Sequence, residues 1–218
     1  MEHRDWGLRE YRAALAEMRE LRRARRRGEI PDTLILVEHP PVITVGVQGD
    51  DLASLPPELP VVPVERGGHS TYHAPGQLVG YPIVDLDARG RDVRRFVGEL
   101  EAGVIEALAT LGVPAEHVAG QRGVWVEGTR KIASIGIAVE EWVSFHGVAL
   151  NVDLDLAPFA RFRPCGLDGA QMTSVARELG RRVPVSELTG PVRAAFDRRF
   201  NVPTAIRNSP ELLPAVAR

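Results

Sequence analysis

The runs KIASIGIAV at residues 131–139 and FHGVALNV at residues 145–152 decide the fold of this chain. Valine and isoleucine are frequent in both runs, and only a short connection separates them, which predicts two successive strands of a sheet covered on at least one face. Residues 124–126 predict a further strand just before them. Strands that follow one another without helices between them favour an α+β fold over a doubly wound sheet.

The N-terminal half predicts both helices and strands. Apolar residues recur every three or four positions over residues 8–21 and again over residues 92–111, which is typical of amphipathic helices. Between these helices, residues 33–37 and 42–47 predict two adjacent strands with a turn at Pro40.

The C-terminal part predicts shorter elements. Residues 173–179 and 191–200 predict short helices, and residues 208–218 predict a tail. The length of 218 residues favours one domain over residues 1–218.

The composition predicts a soluble protein of the cytoplasm. The net charge of -2 gives no field that would attract nucleic acid, and no apolar run approaches the ~18 residues of a membrane span. A single cysteine forms no intramolecular disulfide, which fits a reducing compartment.

The sequence contains one cysteine, Cys165, and one lysine, Lys131. Arginine supplies all the other basic side chains, so a retained lysine suggests a position that needs a compact ammonium able to lose its proton. Cys165 lies between proline and glycine, which predicts irregular backbone instead of an apolar helix face. Lys131 near this thiol would lower the thiol pKa and make it nucleophilic, although the alternatives of a buried packing thiol and a strand-end lysine remain open.

Residues 66–77, RGGHSTYHAPGQ, combine glycines with many polar side chains and predict a binding site. The alternative is a turn that carries polar side chains but binds no ligand. His69 and His73 have the spacing of zinc ligands on a helix, but the neighbouring glycine and proline disfavour a helix, so no metal site is expected. Glycine-rich phosphate-binding motifs are absent from the sequence, which leaves nucleotide binding unsupported.

Together, the segments at residues 66–77, 131–139, 145–153 and 164–166 resemble the lipoyl(octanoyl) transferases. The resemblance implies a single catalytic domain with the fold of the biotin and lipoate ligases, a mixed sheet with flanking helices. It also implies a two-step acyl transfer. Cys165 takes an octanoyl group from the phosphopantetheine thioester of acyl carrier protein, and a lysine of a lipoyl domain then takes the group from Cys165.

By the same resemblance, Lys131 tunes the Cys165 thiol and relays a proton, and the acceptors are lipoyl domains of 2-oxoacid dehydrogenase complexes and the glycine cleavage H protein. Both steps begin from a thioester, so neither ATP nor a metal is implied. His73 and His146 are plausible orienting groups. The walls of the implied acyl site are three short segments: Arg66, Gly67, Gly68, His69, Ser70, Thr71, Tyr72 and His73; Ser134, Ile135 and Gly136; and Gly147, Val148 and Ala149.

The sequence differs from the common form of the family at His69 and Ala74. Two other functions remain open: an ATP-dependent lipoate or biotin ligase of the same fold, and a noncatalytic module that binds acyl groups or carrier protein. Five arginines close the first helix, namely Arg22, Arg23, Arg25, Arg26 and Arg27. They predict either favourable charge at a helix C-terminus or a docking patch for an acidic protein partner.

Overall fold

The computed structural model describes residues 1–50, 52, 55–161 and 172–201. The strands in these ranges are β1 (Glu2–Leu8), β2 (Thr33–Glu38), β3 (Val42–Val45), β4 (Val61–Pro63), β5 (Ser70–His73), β6 (Gln77–Ile83), β7 (Glu116–Val118), β8 (Gln121–Val126), β9 (Arg130–Glu140) and β10 (Val143–Asn151). The α-helices are α1 (Tyr11–Arg26), α2 (Val93–Ala109), α3 (Val175–Leu179) and α4 (Ser186–Phe200).

Seven strands form the main sheet in the order β1-β2-β6-β10-β9-β8-β7, and a small sheet has the order β4-β3-β5. Pairing is antiparallel throughout the main sheet except between β1 and β2, and in the small sheet β3 is parallel to β4 and antiparallel to β5. The fold is therefore α+β with a mixed sheet and flanking helices, as the sequence predicted.

The main sheet is buried on both faces. Along β2, Leu34 and Leu36 pack into the core that contains α2 and α4, whereas Ile35 and Val37 pack into the core that contains α1. This alternation follows from the two-residue period of a strand. Burial on both faces explains why the strands of this sheet are rich in valine, leucine and isoleucine.

The prediction for β2 and β3 was wrong in one respect, because the two strands belong to different sheets. Strand β2 pairs with β6, and β3 pairs with β4 and β5. Pro40 and Pro41 lie between them and have no backbone N–H to continue a ladder, so the chain leaves the main sheet here.

Several elements differ from the predicted ones. Strands β1 and β6 were missed: β6 is buried along its whole length and so has no polar alternation, and it includes Gly80 and Pro82. Helix α1 begins at Tyr11, where the Glu10 carboxylate accepts a hydrogen bond from the Ala13 amide, and α4 begins five residues before Pro191. The predicted tail at residues 208–218 lies outside the described residues.

The five arginines at the end of α1 each form an ion pair with a carboxylate of the same chain. Arg22 is buried beside Glu140 and Glu141, and Arg25 contacts both Asp32 and Asp85. These charges are already compensated within the fold, which favours a structural role for the cluster over a docking patch.

We expect Arg25→Glu to destabilise the protein by about 3 kcal/mol, because it places a third carboxylate beside Asp32 and Asp85 in a partly buried site. Arg26→Glu is the matched control, since Arg26 is half exposed and lies 3.8 Å from Asp87. Surface pairs contribute at most about 1 kcal/mol, so this second change should have a small effect. Urea unfolding measures the free energy of unfolding of both variants. Equal destabilisation by the two changes would contradict the structural role of Arg25.

In the described ranges, the chain has no helix of the length and apolarity that crossing a membrane requires.

Candidate active site

A cavity of about 940 Å³ lies against β9 and β10. Twelve of the fourteen residues predicted to bind the acyl substrate line it, together with Lys131 and His146. These twelve are Arg66, Gly67, Gly68, His69, Thr71, His73, Ser134, Ile135, Gly136, Gly147, Val148 and Ala149. Three segments that are distant in sequence therefore meet around one space.

Ser70 and Tyr72, the other two, do not line the cavity. Residues 70–73 form β5, whose side chains point alternately to opposite faces, so Thr71 and His73 reach the cavity while their neighbours do not. Tyr72 instead packs edge to face against Phe159, with ring centroids 5.5 Å apart. No pattern in the sequence indicates that this glycine-rich segment continues as a strand.

Arg66 holds the glycine segment in place. Its guanidinium donates hydrogen bonds to the His69 carbonyl at 2.8 Å and to the Thr44 hydroxyl at 2.8 Å. The Gly67 amide donates to the Ile137 carbonyl on β9 at 2.9 Å. A Cβ at Gly136 would lie 2.9 Å from Arg66 Cδ, so glycine at that position makes room for the arginine.

Lys131 reaches the cavity because β9 contains a bulge. Val124 pairs with Ala133 but Trp125 pairs with Lys131, so Ile132 is an extra residue on β9. The extra residue reverses the alternation, which places Lys131 on the same face as Ser134 and away from the core of α2. The side chain is buried, and its Nζ lies 5.3 Å from the centre of the Trp125 ring.

Gly123 provides the space that the Lys131 side chain occupies. Its φ is +110°, and a Cβ there would lie 2.6 Å from Lys131 Cε and 2.5 Å from the Ala133 carbonyl oxygen. The Gly123 amide donates a hydrogen bond to the buried Glu101 carboxylate at 2.9 Å, which fixes this part of β8 against α2. Any larger residue at position 123 must displace the lysine side chain, the Ala133 carbonyl or both.

We expect Gly123→Ala to lower kcat by up to about 10²-fold, because a displacement of about 1 Å at a reacting group has an effect of that size. Gly112→Ala is the matched control: its φ is +76°, so it carries a similar backbone strain, but no atom lies within 4 Å of the added Cβ. Steady-state rates and thermal unfolding measure both variants. An equal loss of activity in the two would show that strain alone is responsible.

The inner part of the cavity contains tyrosines and histidines. Tyr81 donates a hydrogen bond to His39 Nε2 at 2.7 Å, and the Tyr11 ring stacks on His73 at 5.6 Å. The Tyr11 hydroxyl lies 3.5 Å from His146 Nδ1. Burial raises the pKa of Tyr11 to about 12, and it lowers the pKa of His39 to about 4.

The two histidines predicted to orient the substrate are also neutral at pH 7. Burial lowers the pKa of His73 well below its usual value and lowers the pKa of His146 as well, the latter effect being partly offset by Glu65. They can therefore donate or accept a neutral hydrogen bond but supply no positive charge to the cavity.

His146 and Gly147 shape the cavity wall through their backbone. His146 has a φ of +57° within β10, a conformation that costs of order 1 kcal/mol or more for a residue with a Cβ. A Cβ at Gly147 would lie 2.2 Å from the Gly80 carbonyl oxygen. Glycine at 147 is thus required by the close approach of β6.

Cys165 and the Pro-Cys-Gly turn lie in residues 162–171, outside the described residues. The chain is described again from Met172, whose backbone pairs with Lys131. The Thr173 amide donates a hydrogen bond to the Lys131 carbonyl at 3.0 Å. Met172 and Thr173, which follow the segment that carries Cys165 in the sequence, therefore lie directly beside the backbone of the lysine.

Several cavity residues were missed at the sequence level, above all Tyr11, Tyr81 and Trp125. They lie in or beside apolar runs, where a tyrosine or tryptophan is an ordinary core residue, and no spacing pattern marks them. In the described part of the chain, no group of three or more His, Cys, Asp or Glu side chains could hold a metal ion.

The chain is a catalytic domain of the lipoyl protein ligase A/B type, and it shares its fold with a biotin protein ligase. Residues 10–197 match the family model of the lipoyl protein ligase A/B catalytic domain. A crystal structure of lipoate-protein ligase A bound with ATP aligns with a TM-score of 0.77 at 17% identity, covering 92% of this chain and 86% of that one. For the Aquifex aeolicus biotin protein ligase the TM-score is 0.54 at 10% identity, covering 92% and 69%.

Sequence similarity identifies the branch of that class. The octanoyltransferase of Geobacter sulfurreducens is 48% identical over 193 residues, which is 88% of this chain and 81% of the relative. The chain belongs to the octanoyltransferase family.

Proposed function

We propose that this enzyme transfers an octanoyl group from acyl carrier protein to the target lysine of lipoyl domains, through a thioester on Cys165. The observation that carries the proposal is the position of Lys131: it is the only lysine of the chain, it is buried in the cavity wall, and it pairs with the residues that follow the Cys165 segment. An ammonium at this position would stabilise the thiolate form of Cys165.

In the first step, the Cys165 thiolate attacks the carbonyl carbon of the octanoyl thioester. The carbon–sulfur bond to phosphopantetheine breaks, and the departing thiolate takes a proton from the Lys131 ammonium. In the second step, the ε-amine of a lipoyl-domain lysine attacks the new thioester, and the amide forms as Cys165 leaves as thiolate. Lys131 accepts the proton that the attacking amine loses, which returns it to its starting form.

The cavity has the chemistry that an eight-carbon chain requires. Burial of each CH₂ contributes about 0.8 kcal/mol, and the wall offers apolar surface at Ile135, Val148 and Ala149. The polar side chains in the inner part of the cavity include the uncharged Tyr11 and Tyr81 and the neutral His73 and His146, which do not oppose an uncharged acyl chain. Lys131 and Arg66 supply positive charge elsewhere in the cavity wall. The donor is octanoyl-acyl carrier protein, and no ATP or metal takes part.

The proposal is tested by incubating the enzyme with octanoyl-acyl carrier protein and a lipoyl domain in the absence of ATP. The expected result is octanoylation of the lipoyl-domain lysine, measured by intact mass, and no reaction with free octanoate plus ATP. Modification of the lipoyl domain that requires free octanoate and ATP would instead show that the enzyme is a ligase. Lipoate-protein ligase A, which has the same fold, has been crystallised with ATP.

A further inference from the structure

Gln77 and Asn151 form a buried amide pair that connects the cavity wall to the backbone of Lys131. Gln77 Nε2 donates to Asn151 Oδ1 at 3.0 Å and to the Tyr72 carbonyl at 3.1 Å. Asn151 Nδ2 donates to the Thr173 carbonyl at 3.0 Å, and the Thr173 amide donates to the Lys131 carbonyl at 3.0 Å. Gln77 and Asn151 are each 1% exposed, so water does not compete for these bonds.

The other end of this network lies at His73. Because Gln77 Nε2 is occupied by two acceptors, its Oε1 faces His73 and must accept the proton on Nδ1, at 2.7 Å. His73 Nε2 is then an acceptor, and the hydroxyl of Thr44 lies 3.4 Å from it. Arg66 donates to the same hydroxyl at 2.8 Å, so the tautomer of His73 is set by its neighbours.

Neither amide lines the cavity, so neither is placed to touch the substrate. Each side-chain nitrogen and oxygen of the pair has a hydrogen-bond partner in the fold, and a buried network of this kind favours a single arrangement. The arrangement it fixes is the position of Thr173 against Lys131, at the end of the segment that carries Cys165.

We propose that Gln77 and Asn151 are positioning residues, which hold the main chain at Thr173 against Lys131 and so set the geometry between the lysine and the cysteine segment. The expected effect on catalysis rests on the proposed function. The positioning role differs from a general role in stability, because it predicts a change in the reactivity of Cys165 in molecules that remain folded.

The test uses Asn151→Ala in the full-length enzyme. We expect kcat to fall by about 10- to 10²-fold, because a loosened anchor misplaces the reacting groups, while KM for octanoyl-acyl carrier protein stays within about two-fold. We also expect the pH midpoint for alkylation of Cys165 by a small thiol reagent to rise toward about 8.5, the ordinary pKa of a thiol.

Ser144→Ala is the matched control. Ser144 lies on the same strand, is fully buried, and makes two hydrogen bonds, to the Pro82 carbonyl and from the Val84 amide, but it has no part in the network. It should lower the unfolding temperature while leaving kcat and the alkylation midpoint unchanged. If Asn151→Ala does not fold, Asn151→Asp keeps the shape and removes the amide donor toward Thr173, and the same shifts are expected.

A normal midpoint and kcat in a folded Asn151 variant, or equal losses in Ser144→Ala, would overturn the inference. The alkylation measurement does not use the acyl reaction. A wild-type enzyme that transfers no octanoyl group would therefore count against the proposed function, while the midpoints would still decide whether the amide pair positions Lys131.

Discussion

Cys165→Ala is expected to lower the rate of octanoyl transfer from carrier protein to lipoyl domain by at least about 10⁴-fold, because no nucleophile remains to accept the acyl group. The residual rate would be that of direct attack by the lipoyl-domain lysine on the carrier thioester, with both protein substrates positioned by binding alone. Mass measurements of the lipoyl domain over time give both rates.

Cys165→Ser sharpens this prediction. A hydroxyl has a far higher pKa than a thiol, and an ammonium neighbour lowers it too little to make an alkoxide at neutral pH, so serine should be nearly as inactive as alanine. Either variant must retain the unfolding temperature of the wild type for the comparison to hold. A serine or alanine enzyme with more than about one hundredth of the wild-type rate would contradict covalent catalysis at this position.

Lys131→Arg is expected to reduce kcat/KM for octanoyl transfer by about 10²- to 10⁴-fold, the usual size of a general acid–base contribution. Arginine keeps the positive charge but does not give up its proton, so it can neither protonate the departing thiolate nor accept a proton from the attacking amine. Its planar fork is also larger than an ammonium, and Gly123 and Trp125 enclose this side chain closely.

A comparison with Lys131→Ala separates charge from proton transfer. Removal of the ammonium should raise the thiol pKa, so the thiolate is lost below about pH 8.5 and the activity of this variant should rise with pH up to that value. Lys131→Arg should keep the lower alkylation midpoint of Cys165 and still fail in transfer. Arg130→Lys is the control, since Arg130 forms ion pairs with Glu127 and Glu178 outside the cavity. Full activity of Lys131→Arg would rule out a proton-transfer role.

The class of fold could be predicted from the sequence, because the strands at residues 131–139 and 145–152 and the helices on either side carry regular hydrophobic patterns. Strands β1 and β6 could not, since β1 is an edge strand without a clear pattern and β6 is buried on both faces. The separation of β2 and β3 into two sheets depends on tertiary pairing, and local sequence does not encode which partner a strand finds.

The position of Lys131 illustrates what the sequence leaves undetermined. Regular alternation along β9 would place Lys131 on the face of Ala133 and Ile137, against the core of α2. The bulge at Ile132 moves Lys131 to the opposite face. The bulge is visible only in the pairing register between β8 and β9. The prediction that Lys131 belongs to the site came from its being the only lysine and from family resemblance, whereas the geometry that brings it there required the fold.

The glycines also show what the sequence leaves undetermined. Gly147 and Gly136 were predicted to line the acyl site, and both lie at the cavity, but each is glycine because a backbone or arginine atom from a distant segment approaches it. Gly123 and Asn151 were not predicted as site residues, and Gln77 was included only as the last residue of the segment 66–77. Gln77 and Asn151 matter through contacts between β6, β10 and Thr173, which are far apart along the chain. Gly123 matters through its contacts with Glu101 on α2 and Lys131 on β9.

The most direct test of the account is the intact mass of the enzyme after incubation with octanoyl-acyl carrier protein alone. The account predicts an increase by one octanoyl group, located on Cys165 by peptide mapping, removed by neutral hydroxylamine as a thioester is, and discharged when a lipoyl domain is added. An enzyme that octanoylates the lipoyl domain without ever carrying the group, or that carries it on a residue other than Cys165, would contradict the account.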